Sequence, residues 1–81
     1  MKTTIEDRGH VVYVRREIFA EGQSDEEEER DYRLLLDSMR GCRMGNCERC
    51  MFCNYQSDSG EFCTDALLRV AENRIRKLRG L

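Results

Sequence analysis

Residues 41–63 read GCRMGNCERCMFCNYQSDSGEFC and contain all five cysteines of the 81-residue chain. The cysteines follow the spacing C-x4-C-x2-C-x2-C-x9-C, from Cys42 to Cys63. A tetrahedral zinc ion takes four thiolates at about 2.3 Å, and each C-x2-C pair supplies two of them from one tight turn. The odd number of cysteines argues against a disulfide framework. We therefore predict one structural Zn²⁺ in this segment, with an iron or iron–sulfur site, or plain thiols or disulfides, as the alternatives.

An amphipathic helix is predicted before this segment, from Asp25 to Arg40. Ser24 and Glu27 form an S-x-x-E capping box, and the acidic residues that follow Ser24 suit the positive end of the helix dipole. Gly41 is expected to end the helix in a left-handed conformation. Four residues recur at i, i+3, i+4 and i+7 and are expected to form the buried stripe: Tyr32, Leu35, Leu36 and Met39.

A second helix is predicted after the cysteine segment, over residues 65–79, with Thr64 as its N-cap and Gly80 after its end. Since Cys42 follows the first helix and Cys63 precedes the second, an ion bound by both would join two helix ends. The expected apolar seam of the second helix is Leu67, Val70, Ala71, Ile75 and Leu78.

Residues 1–20 are predicted to form a β-hairpin, because they are rich in β-branched and aromatic residues. Period-two spacing places Val12, Val14 and Ile18 on one face, and the core is expected to include three aromatic residues, Tyr13, Phe19 and Tyr32. The whole chain, 1–81, is then one small α+β domain. A core of this size is marginal, and a structural zinc ion contributes about 10 to 16 kcal/mol of apparent binding free energy.

The charge of the chain is unevenly distributed. The net charge is −2, with 14 Lys and Arg against 16 Asp and Glu, and most of the excess acid lies between residues 21 and 40. Such a segment suits a basic partner surface, although it also favours the start of a helix simply through the dipole. The residues expected to contact a partner are Glu26, Glu27, Glu28, Glu29 and Asp31.

Several function classes are not expected. The mean hydropathy is −0.73, and the apolar runs are far shorter than a membrane span or a secretory signal requires, so we expect a monomeric cytoplasmic protein without a membrane partner. A catalytic zinc site keeps an open position and commonly uses His or carboxylate ligands, whereas this segment offers only thiols. Nothing in the sequence places the lone His10 near a nucleophilic cysteine. We therefore expect a non-enzyme.

The stretch from Tyr32 to Leu81 resembles a group of short phage and prophage proteins. It contains LLLDSMRGC, then GNCERCMF, then CTDALLRVAENRIRKL, where that group has a helix ending in Cys, a C-x2-C-Pro-aromatic motif, and a later Cys opening an amphipathic helix. Met51 stands where the group usually has Pro. The resemblance implies that Cys53 is the extra thiol, although Cys53 in place of Cys42 gives an almost equally good site. The implied ligands are Cys42, Cys47, Cys50 and Cys63.

Small phage proteins with an acidic patch and a zinc site also resemble anti-CRISPR proteins, in particular inhibitors of the type II RNA-guided DNA nuclease. The resemblance implies a phage-encoded binding protein that occupies a basic surface of the host CRISPR effector, where nucleic acid would otherwise bind. The alternative is a small zinc-dependent nucleic-acid-binding or regulatory module that uses the basic second helix. The overall negative charge makes direct DNA binding the less expected of the two. The residues of that alternative are Arg69, Arg74, Arg76, Lys77 and Arg79.

Overall fold

A computed structural model describes residues 3–9 and 11–81; His10, which was considered above, lies outside this part. Two short antiparallel strands, β1 (Thr4–Asp7) and β2 (Val14–Glu17), are followed by helix α1 (Asp25–Arg43), a short 3₁₀ helix (Cys47–Arg49) and helix α2 (Cys63–Arg79). The small α+β architecture is therefore confirmed, with an N-terminal hairpin and with the cysteine-rich segment between two helices.

The hairpin contributes two isoleucines to the core. Its register pairs Thr4 with Glu17 and Ile5 with Arg16, so that Ile5 and the following Ile18 are both buried. The predicted face that included Val12 and Val14 is wrong, because β2 begins only at Val14 and both valines are exposed. Tyr13 is exposed as well, in the connection between the strands, where its ring lies 4.8 Å from the guanidinium of Arg8.

Helix α1 begins as predicted and ends later. The hydroxyl of Ser24 accepts a hydrogen bond from the Glu27 amide, and the Glu27 carboxylate accepts one from the Ser24 amide, so the capping box is confirmed. The helix continues to Arg43 and contains Gly41, which was expected to end it. The left-handed turn falls instead at Gly45, with φ of +75°.

The buried side of α1 differs from the predicted stripe. Leu35 is buried and Tyr32 half-buried, but Leu36 and Met39 are exposed. The prediction failed because it followed apolar residues only, whereas the buried side is mostly polar or small. Its buried residues are Asp31, Leu35, Ser38 and Gly41.

Helix α2 starts two residues earlier than predicted. Its first residue is Cys63 and its N-cap is Phe62, whose side chain makes no capping hydrogen bond, so the assignment of Thr64 as N-cap is wrong. Gly80 ends the helix in the predicted left-handed conformation, with φ of +71°. The first half of the helix packs on the core through Ala66, Leu67 and Val70, whereas the predicted seam residues Ile75 and Leu78 are exposed.

The two helices run antiparallel. Near the end of α2, the Arg74 guanidinium forms an ion pair with Glu28, near the start of α1, and donates a hydrogen bond to the Tyr32 hydroxyl at 2.7 Å. It also lies 4.4 Å from the centroid of the Phe19 ring. The opposite ends of the pair, which carry Cys42 and Cys63, therefore meet on the other side of the molecule.

A buried ionic network joins the hairpin to α1. Asp31 is 1% exposed, and its carboxylate accepts hydrogen bonds from the Arg16 guanidinium at 2.7 Å, the Gln23 side-chain amide at 2.7 Å and the Phe19 amide at 2.9 Å. Arg16 also donates to Asp7 of β1 at 2.8 Å. Asp31 was predicted to lie on an acidic surface that contacts a partner. That expectation is corrected, because all three of these hydrogen bonds are internal.

Candidate metal centre

The close approach of the cysteine loop to the end of α1 depends on Gly41. The Asn46 amide donates a hydrogen bond to the Gly41 carbonyl at 2.8 Å, so the chain turns back onto the helix directly after it ends. A Cβ atom on Gly41 would lie 2.9 Å from the Arg49 Cβ and 3.0 Å from the Asn46 carbonyl oxygen. Glycine at this position therefore permits the contact that brings the 3₁₀ helix, with Cys47, beside Cys42.

The substitution Gly41→Ala should loosen this contact. Alanine suits the helix itself, but its methyl group requires the backbone around Asn46 and Arg49 to move, and overpacking of this kind costs about 1 to 3 kcal/mol. The free energy of unfolding from urea titration should fall by that amount. The matched control is Gly45→Asn, because asparagine tolerates the left-handed conformation and a Cβ atom on Gly45 meets no atom within 4 Å. Equal losses in the two variants would contradict the packing role of Gly41.

The backbone of Met51 holds the loop between α1 and β1. Its amide donates to the Ser38 hydroxyl at 3.1 Å, and its carbonyl accepts from the Glu6 amide at 3.1 Å. Ser38 is fully buried, and Met51 and Phe52 are 2% and 1% exposed. The segment that carries the central cysteines is therefore part of the core, fixed from two sides. Sequence analysis missed Ser38; its only signal was its place one turn after Leu35.

Two consecutive tight turns carry the central thiols. The Cys50 amide donates to the Cys47 carbonyl at 3.0 Å, and the Cys53 amide donates to the Cys50 carbonyl at 3.1 Å. The Phe52 amide also donates to the Cys50 sulfur at 3.4 Å. Amide hydrogen bonds to sulfur stabilise the thiolate form that a metal requires and orient the ligand. The C-x2-C segment thus has the local geometry of a metal-binding turn.

Three other thiols contribute to the electrostatic environment of Cys50. Burial raises the pKa of the Cys50 thiol and the Phe52 amide opposes that shift, while the thiols of Cys42, Cys63 and Cys47 raise the pKa further by like-charge repulsion. These three sulfurs therefore lie within electrostatic reach of Cys50, although they come from three different elements. The four are the set implied by the resemblance. Cys50 is buried, Cys42 half-buried, and Cys47 and Cys63 exposed.

Cys53 lies within electrostatic reach of a different residue, Arg8. Partial desolvation would lower the pKa of the Arg8 guanidinium, but the Cys53 thiol and the Glu6 carboxylate raise it, and the net shift is upward. Arg8 belongs to the hairpin connection, and it also donates a hydrogen bond to the Glu48 carbonyl at 3.3 Å. Cys53 therefore lies on the hairpin side of the loop, which favours Cys42 over Cys53 as the fourth ligand.

The donor set fits a closed zinc site in its chemistry. Within residues 3–9 and 11–81, no group of three or more Cys, His, Asp or Glu side chains is arranged so that it could hold a metal ion as it stands. The four thiols nevertheless supply the number and type of donors that structural zinc takes, and Cys63 is the first residue of α2. Zinc therefore remains a prediction.

The expected acidic surface is smaller than the sequence suggested. Glu28 is half-buried and forms an ion pair with Arg74, and Asp31 is buried. Glu27 is exposed as well, but the capping box holds its carboxylate. The other exposed carboxylates at this end of the molecule, here called the acidic end, are those of Glu21, Asp25, Glu26 and Glu29.

Among the residues that the structure describes, no helix is both long enough and apolar enough to cross a membrane. No protein-family model, curated protein or solved structure matches this chain.

Proposed function

We propose that this chain is a non-catalytic binding protein, stabilised by one zinc ion, that presents its acidic end to a basic surface of another macromolecule. The observation that supports the proposal is that the thiols of Cys42, Cys47 and Cys63 lie within electrostatic reach of the buried Cys50, at the pole opposite the acidic end. A closed four-thiolate site supports a structural rather than a catalytic ion. The ion would fix the two helices as one rigid body.

The acidic end is suited to electrostatic recognition. Asp25, Glu26 and Glu29 are exposed on the first turns of α1, and Glu21 is exposed just before it. Of these, Glu29 faces a nearby cation, Arg33, at 3.5 Å in an exposed pair that contributes little. A cluster of this kind raises the rate at which a basic partner associates and disfavours partners of like charge.

The partner that we propose is the type II CRISPR effector nuclease of a bacterial host, which makes the chain a phage-encoded anti-CRISPR inhibitor acting in the host cytoplasm. This choice rests on the resemblance of residues 32–81 and on charge, because the nucleic-acid channel of such an effector is strongly positive. In this proposal the acidic end competes with guide RNA or target DNA for that channel.

The alternative function, direct nucleic-acid binding by α2, is less favoured by the contacts of its basic residues. Arg69 donates to Glu61 at 3.0 Å and to Thr3 at 3.0 Å, and Arg74 is held by Glu28. Arg76 pairs with Glu72 at 3.2 Å. Two of the five cations in the proposed strip, Arg69 and Arg74, are therefore held by carboxylates in partly buried pairs, which weakens the attraction for phosphate, whereas the exposed pair of Arg76 contributes little.

The double substitution Glu26→Lys/Glu29→Lys should weaken binding to the purified effector–guide complex by about tenfold or more, with a matching loss of inhibition of DNA cleavage. Both side chains are exposed and neither lies in the core, so the melting temperature should change little. Binding is measured by biolayer interferometry at two salt concentrations, and cleavage with a plasmid target.

The matched control is Asp37→Lys/Asp58→Lys, which makes the same change in charge at exposed positions outside the acidic end. It should bind like the unmodified protein. The proposal fails if the unmodified protein neither binds the effector nor slows cleavage. A salt-sensitive mobility shift with duplex DNA alone would instead support the alternative.

A further inference from the structure

Five large apolar side chains lie exposed on the outer side of the helix pair. Their exposed fractions range from 38% to 64%, which is high for a chain whose core is so small. We call this set the outward apolar face. It consists of Leu36 and Met39 on α1 and of Leu68, Ile75 and Leu78 on α2.

The contact between Tyr32 and Arg74 shows that the two halves of this face adjoin. On α1, Leu36 lies one turn after Tyr32. Around the helix axis its position differs from that of Tyr32 by about 40°, in the direction away from the buried Asp31. On α2, Leu78 lies one turn after Arg74. Around the axis of α2 its position differs from that of Arg74 by the same angle, in the direction away from the buried Val70. Because the helices are antiparallel, both rotations lead to the side of the pair opposite the hairpin, so the two apolar strips form one surface.

The charged residues that flank this surface are of both signs, so that acids of one copy can meet basic residues of a second copy. The start of α1 carries the exposed acids Asp25 and Glu29, and its last turns carry the exposed Arg40 and Arg43. The end of α2, beside the start of α1, carries exposed basic residues, Lys77 and Arg79.

Two copies that meet through this face can be related by a two-fold axis in two ways. One places α1 antiparallel to α1 of the second copy, and the other places α1 antiparallel to α2 of the second copy. In both arrangements the acidic start of α1 lies opposite a basic helix end, while the leucines and isoleucine meet in the centre.

We infer that the outward apolar face is the surface through which two copies of this chain associate. The two helix pairs would then pack face to face, with two-fold symmetry. This inference does not require a particular partner, although it uses Asp25 and Glu29, which also belong to the acidic end, and it would replace the monomer expected from the sequence. Dimerisation would bury the apolar side chains that the small core leaves in water.

The test is sedimentation equilibrium of the zinc-loaded protein in a non-thiol reductant, at about 100 μM, where a dimer with a Kd near 1 μM would be almost complete. The expected mass is twice 9.6 kDa. Leu36→Gln/Ile75→Gln should weaken the dimer at least tenfold, with an unchanged circular dichroism spectrum, since both residues are exposed. Leu78→Gln is the second variant if the double variant does not fold.

The matched control is Val12→Gln/Met44→Gln, because both residues are exposed and apolar but lie outside this face. It should dimerise like the unmodified chain. The inference is overturned by a monomeric mass at 100 μM, by a dimer that appears only without reductant, or by a dimer that Leu36→Gln/Ile75→Gln and Leu78→Gln leave intact.

Discussion

Replacement of Cys50 by serine is expected to abolish the proposed zinc binding and to unfold most of the domain at 25 °C. Cys50 is the buried member of the four proposed ligands, and its sulfur accepts the Phe52 amide hydrogen bond. A structural zinc ion contributes about 10 to 16 kcal/mol of apparent binding free energy, which is as large as the whole stability of a typical domain. The measurements are zinc content by elemental analysis and thermal unfolding by circular dichroism, with and without a chelator.

Cys53→Ser is the matched control, because Cys53 lies in the same loop but beside Arg8. It should retain one zinc ion per chain and melt near the temperature of the unmodified protein. Cys42→Ser tests the remaining ambiguity, since it should behave like Cys50→Ser. If Cys53→Ser loses zinc and Cys42→Ser does not, Cys53 rather than Cys42 is the fourth ligand. If the chain stays folded without metal in the presence of chelator, the zinc proposal is wrong.

The features that the sequence predicted well are local or nearly so. The capping box at Ser24 and the left-handed Gly80 depend on residues within one helical turn, so their formation does not require contacts with distant elements. The hairpin followed from the β-branched and aromatic residues of the first segment, although its predicted period-two face was wrong, and both helices followed from helical patterns. The ligand set of Cys42, Cys47, Cys50 and Cys63 stays a prediction, although three of these thiols lie within electrostatic reach of Cys50.

The features that were missed depend on contacts between distant elements. Leu36 and Met39 look like core residues on a helical pattern, but the hairpin and the loop pack on the neighbouring side of α1. That side is held by hydrogen bonds that Ser38 and Asp31 accept from the Met51 amide and the Arg16 guanidinium, rather than by apolar area alone. A polar residue at a buried position gives no hydropathy signal, and its partner cannot be identified before the fold is known.

The substitution Asp31→Ala should be the most destabilising change outside the cysteines. It leaves the guanidinium of Arg16 with the Asp7 carboxylate and the Glu17 carbonyl, and it deprives the Phe19 amide and the Gln23 side chain of their acceptor. Removal of one partner from a buried ion pair costs about 3 to 5 kcal/mol. Urea unfolding monitored by circular dichroism should show that loss, and the further substitution Arg16→Met should not restore it, because the buried Asp7 carboxylate then loses the Arg16 guanidinium.

The pH dependence of stability provides an independent check on Asp31. Burial works to raise the pKa of its carboxyl group, but the hydrogen bonds from Arg16, Gln23 and Phe19 outweigh it, so the pKa lies below that of an ordinary aspartate. The folded state therefore binds a proton at Asp31 less readily than the unfolded state. The stabilisation is complete above the ordinary aspartate pKa of about 3.9 and is lost as the pH falls towards the lowered value.

Asp31→Asn keeps the shape of the side chain but removes this titration, so its stability should change less between pH 6 and pH 3 than that of the unmodified chain. The matched control, Glu29→Gln, alters an exposed carboxylate on the same helix and should retain the original acid sensitivity. Acid sensitivity that is unchanged in Asp31→Asn would show that other carboxylates, such as Asp7 in the same network, carry the pH dependence.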